Sequence, residues 1–133
     1  MPEFNIKGML WSMVLGVLGL LGFRTSLIKI LIFGMALDFA VGMMVAAVGK
    51  SKKSAHGGID SNVGFRGIVK KSLMLSLVGV GGMVDYLIGS DVAQHATMMF
   101  FTINEMISIT ENAAMFGLNI PKRLTDILDQ LKE

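Results

Sequence analysis

What most constrains this chain is a series of four long apolar runs joined by shorter polar stretches. Gly8–Phe23 holds 16 residues without a charge, and Ile30–Val48 holds 19 with Asp38 as the only one. Leu73–Gly89 holds 17 with Asp85 alone, and Met98–Leu118 holds 21 interrupted by Asn104, Glu105, Glu111 and Asn112. A soluble chain of 133 residues buries only roughly two-thirds of its surface. Side chains that are 53% hydrophobic, with 17% charged and a mean hydropathy of +0.64, cannot all be hidden in one such core. Lipid is the natural solvent for the remainder. The pattern predicts an all-α, polytopic membrane protein forming a single membrane domain over 1–133. The expected spans are 8–23, 30–48, 73–89 and 98–118. A basic loop over 49–72 and an amphipathic tail over 121–133 complete it. The first run reaches only about 24 Å at about 1.5 Å per residue, short of a hydrocarbon core of about 30 Å. Three crossings are therefore the alternative to four. Trp11 suits an interfacial belt at the start of that run. Its exit, Gly22-Phe23-Arg24-Thr25, lacks the small-x-small pattern of a cleaved signal peptide, so the run is read as a retained helix.

Orientation follows from the bases. The central stretch carries Lys50, Lys52, Lys53, Arg66, Lys70 and Lys71 against the single acid Asp60, with a turn expected at His56-Gly57-Gly58. With four crossings and this stretch cytoplasmic, both termini are cytoplasmic too. Ten of the twelve basic residues then lie inside, and only Arg24 and Lys29 lie outside. The positive-inside rule favours that arrangement over its inverse. Lysines beside spans orient a protein and touch anionic headgroups, so no nucleic-acid partner is read from them. In the tail, Leu124, Ile127, Leu128 and Leu131 recur at helical spacing behind Pro121. That spacing gives a short interfacial or self-associating helix.

The polar residues inside the apolar runs carry the most information. A carboxylate at the bilayer centre costs roughly 2.5–3.5 kcal/mol on insertion scales, so it faces other helices or water, or is held neutral. Asp38 and Asp85 are such groups. They serve either helix packing and assembly or contact with a permeating species. Asn104, Glu105, Ser108, Glu111 and Asn112 recur at spacings that place them on one helical face. Phe100, Ile103, Met106 and Ile107 are left for the other. That polar face lines a lumen, joins an oligomer interface or packs within the bundle. Gly16, Gly19 and Gly22 fall at three-residue intervals, and Gly79, Gly81 and Gly82 form a second flat patch. Close helix packing is the expected role of both, and of Gly42.

Catalysis finds no support in the residues. There are no cysteines, which excludes disulfides and thiolate sites. His56 and His95 fall on opposite sides of the expected topology and cannot share a metal. No Ser–His–acid spacing occurs. Neither glycine patch carries the ending of a phosphate-binding loop. No catalytic residue, metal or cofactor is expected.

Four sequence elements, taken in order, resemble the bacteriophage holin family, which also includes toxin-secretion holins of clostridial type. They are Asp38-Phe39-Ala40-Val41-Gly42, the stretch Ser61-Asn62-Val63-Gly64-Phe65-Arg66-Gly67-Ile68-Val69-Lys70-Lys71, and Asp85 late in the following run. The most specific is Asn104-Glu105-Met106-Ile107-Ser108-Ile109-Thr110-Glu111-Asn112-Ala113. Gly117, Ile120-Pro121 and a Leu-rich tail follow, as in the family. The likeness runs from about Leu27 to the end. Phe39 stands where Tyr is commoner, and Ala55-His56-Gly57-Gly58 lengthens the central loop. The resemblance implies a protein that oligomerises in the bacterial cytoplasmic membrane and opens lesions at a set time. Its functional partner would be an endolysin that cuts the wall, or a toxin that is released, and it would catalyse no reaction itself. The competing reading is a small four-helix transporter that uses its embedded carboxylates.

Overall fold

The computed structural model describes residues 5–20 and 26–133, with side-chain surroundings for 5–15 and 27–133. Five α-helices follow one another: α1 Ile6–Leu20, α2 Ser26–Ala47, α3 Ser61–Ile88, α4 Val92–Phe116 and α5 Lys122–Lys132. There is no strand among the described residues. Two helices, over Leu27–Ala47 and Ser61–Ile88, are long and apolar enough to cross a membrane. α2, at 22 residues, is about 33 Å long and matches the hydrocarbon thickness. α1 has 15 residues, and its Ile6, Leu10, Trp11 and Leu15 are exposed.

α3 departs from expectation at its start. The polar stretch 49–72 is not a loop throughout: the connection ends at Asp60, and Ser61–Ser72 already forms the first turns of α3. The cause is a cap. Asp60 Oδ1 accepts from the backbone N–H of Asn62 at 2.8 Å and of Val63 at 3.4 Å, satisfying donors that have no partner inside the helix. At 28 residues α3 is about 42 Å long. That exceeds a hydrocarbon core of about 30 Å. In the connection itself, Gly57 N–H donates to Ser54 O and closes a turn over Ala55 and His56. Gly57 has φ +76, a left-handed conformation that glycine adopts without cost. α3 and α4 end in the same way, at Gly89 and Gly117 with φ of +67 and +107.

α4 is the central helix and packs along α2, α3 and α5. The buried positions recur at alternating three- and four-residue steps. On α2 they are Ile28, Leu31, Met35, Asp38 and Val45, and on α3 they are Met74, Val78, Gly81 and Asp85. Met98, Thr102, Glu105 and Asn112 supply the facing positions of α4. This is the spacing that keeps a seam facing its neighbours in left-handed helix packing. Ile28, Leu31, Met35, Met74, Val78 and Met98 form the apolar core. The outer surface is apolar as well, with Phe33, Leu77, Leu87 and Phe100 among many exposed large side chains. Soluble monomers rarely expose apolar surface on that scale, whereas lipid covers it without cost. α5 sets Leu128 against the bundle and leaves Leu124, Ile127 and Leu131 outward.

Candidate functional site: a buried charge cluster

Asp38, Lys71 and Glu105 come from three different helices and meet in the bundle. Lys71 Nζ lies 2.8 Å from Asp38 Oδ2 and 2.5 Å from Glu105 Oε2. The side chains are 17%, 10% and 5% exposed respectively, so the ions are held within protein rather than at its surface. Asn112 Nδ2 donates to the other Asp38 oxygen at 3.2 Å. The backbone makes room for these contacts. A Cβ on Gly34 would meet Glu105 Cβ at 3.5 Å, and one on Gly42 would meet Asn112 Nδ2 at 3.7 Å. Those glycines flank Asp38 by one turn on each side, so the polar side chains of α4 reach across to α2. Two carboxylates thus share one ammonium group in a place where charge is costly.

The expected polar face of α4 divides into two. Glu105 and Asn112 are buried in the cluster, whereas Asn104 and Glu111 are exposed and Ser108 is half-buried. Asn104, Ser108 and Glu111 line a groove beside the cluster together with Lys53, Lys70 and Lys132. Of the residues expected opposite, Phe100 and Met106 are exposed and Ile103 and Ile107 are half-buried. The sequence reading missed Lys71 as a member of the cluster and placed it among the bases of a cytoplasmic loop. The usable signal was its register, three residues before Met74 and seven before Val78 on the seam of α3. Lys50, another expected loop base, donates to Phe116 O at 3.2 Å and lies over the Phe116 ring at the carboxyl end of α4. A cation is favourable there because the last carbonyls lack partners. Lys52, Lys53, Arg66 and Lys70 are exposed.

Asp85 lies outside the cluster. Its two oxygens accept from Ala93 N–H at 2.9 Å and Gln94 N–H at 2.8 Å. It therefore caps α4 from the preceding helix, while Asp91, at the cap position, makes no side-chain cap bond. Gly81 lets the two helices approach, since a Cβ there would lie 2.9 Å from Gln94 Cα. Gly82 faces the Gln94 side chain, and Gly79 faces open space. Gly16 and Gly19 fall in the last two turns of α1, and Gly22 lies outside the described residues.

The sequence profile described as "Bacteriophage holin family" matches residues 16–133. An uncharacterized protein of Halalkalibacterium halodurans is 33% identical over 119 residues, 85% of this chain and 83% of that protein. An uncharacterized 14.9 kDa protein of Clostridium perfringens is 38% identical over 107 residues, 79% of this chain and 75% of its own length. A protein named "Probable holin" from Bacillus phage phi105 is 40% identical over 63 residues, 47% of each chain. No solved structure matches. A profile that spans all but the first fifteen residues settles the family: the chain belongs to the bacteriophage holin family.

Proposed function

We propose that this protein acts as a holin. It accumulates in the bacterial cytoplasmic membrane, oligomerises there and opens lesions that release or activate an endolysin, or release a toxin. It crosses the bilayer four times, with both termini cytoplasmic. The observation that carries the reading is the pairing of family membership with a buried ion cluster inside an apolar exterior. A bundle whose outer surface suits lipid and whose interior holds water-loving groups has two ways to satisfy the latter. They pair with one another in the closed chain, or they face water in an assembly. Glu105 and Asn112 of α4 are first paired with α3 and α2 and later hydrated between protomers. No chemical step is required of any residue.

The transporter reading is not favoured. A proton-coupled carrier needs an indispensable carboxylate open to its cargo. Here Asp38 and Glu105 are both held by Lys71, and Asp85 is occupied by the amino end of α4.

The decisive experiment follows membrane potential and culture density after inducing the gene alone, then together with an endolysin. Abrupt depolarisation, with lysis only when the endolysin is present, is the expected result. Steady growth with intact potential would overturn the proposal.

A further inference from the structure

On the loop side of the ion cluster, the space between α2 and α3 is not filled by side chains. A cavity of about 90 Å³ runs there, from Ser54 and Asp60 at the connection to Asp38 and Lys71 in the cluster. Its α3 wall is opened by Gly64 and Gly67, at which a Cβ would meet nothing within 4 Å. A single water needs only about 10–15 Å³ on this measure, so the space admits several waters. A second observation points to the same occupant. Ser54 is 8% exposed, and its Oγ has no hydrogen-bond partner among the described residues. A buried hydroxyl left in that state is costly, and ordered water is the usual remedy where, as here, polar groups such as Ser54, Asp60 and Lys71 punctuate an otherwise apolar lining. The opposite end offers partners too. Lys71 has three N–H donors and spends two on carboxylates.

From the glycine wall, the unpartnered Ser54 hydroxyl and the ions at its far end, we infer that this cavity is a water-binding inlet between α2 and α3. It brings water and small hydrophilic solutes from the loop to Asp38 and Lys71. That water solvates the Asp38–Lys71 end of the cluster, and the α2–α3 seam is where hydration of the bundle begins. The inference deepens the holin reading by naming the seam, and it rests on that reading only for its consequence in lesion opening.

The chain has no cysteine of its own, so single cysteines report without background. Ser54→Cys is nearly isosteric, and Gly42→Cys adds a Cβ in ordinary contact with Asn112. Each is introduced into the full chain and reacted in sonicated bacterial membranes with a small cationic methanethiosulfonate. Val78→Cys, in the apolar core, is the control. A thiol in packed core reacts only when the structure opens. The expected result is labelling of Ser54→Cys and Gly42→Cys at least roughly tenfold faster than Val78→Cys. Adding Gly67→Leu, which fills the cavity, is expected to bring Gly42→Cys down to the control rate. Reactivity of Gly42→Cys equal to the control, or untouched by Gly67→Leu, would overturn the inlet. Absence of depolarisation on induction, with the labelling pattern intact, would sink the holin reading and leave the inlet standing.

Discussion

Lys71 joins two acids that belong to different helices, and its loss would strand both in the interior. Breaking one side of a buried ion pair costs about 3–5 kcal/mol, mostly because the remaining charge has nowhere to go. Lys71→Met is therefore expected to lower stability by about 3 kcal/mol, measured by detergent-titrated unfolding of the purified chain. Adding Asp38→Asn and Glu105→Gln to Lys71→Met removes the stranded charges and is expected to recover most of the loss. A triple variant no more stable than Lys71→Met alone would show that Lys71 serves something other than these carboxylates. The acidic half of this site was legible in the sequence, because a carboxylate within an apolar run is an anomaly that needs a partner. The basic half was not. Lys71 stands next to Lys70 and just outside the apolar run, so composition groups it with the solvated bases. Only its place in the three-four rhythm of α3 separates it from its neighbours.

At the level of elements, α3 shows why hydropathy and helix boundaries are different quantities. The apolar run beginning at Leu73 marks where lipid can surround the chain. The helix begins twelve residues earlier, where Asp60 supplies a cap. The runs for α2 and α4 were legible as helices because apolar residues fill most of each, although of these two only α2 is apolar enough to cross a membrane. The role of Asp85 was not legible, because its partners are backbone N–H groups whose positions only the fold reveals. The glycines of α3 give a paired test. Gly81→Val sets a Cβ against the backbone of Gln94 and is expected to cost about 2 kcal/mol, because a helix backbone yields less readily than a side chain. Gly79→Ala meets open space and is expected to be neutral, or stabilising by up to about 1 kcal/mol through helix propensity. Thermal unfolding in micelles measures both. Equal effects at the two positions would contradict the close approach of α3 and α4.

For the whole molecule, the apolar exterior and the polar interior pull in opposite directions. In the structure α4 keeps Glu105 turned inward and Glu111 in its groove, the arrangement that the proposed opening would undo. Glu105→Leu combined with Glu111→Leu leaves Lys71 a single acid partner and gives the groove an apolar wall, which favours the closed state. The double variant is expected to delay depolarisation after induction and to reduce the size of solute released. Unchanged timing and unchanged release would remove the polar residues of α4 from any part in opening. The turn between α3 and α4 adds a mechanical consequence. Only Gly89, Ser90 and Asp91 separate the two helices, and the carboxylate and carbonyl of Asp85 pin both sides of that turn. Neither helix can slide along the other without breaking those bonds. Under the proposed four-span topology, a bilayer that thins or thickens tilts the pair as one rigid lever, and the basic first turns of α3 swing with it.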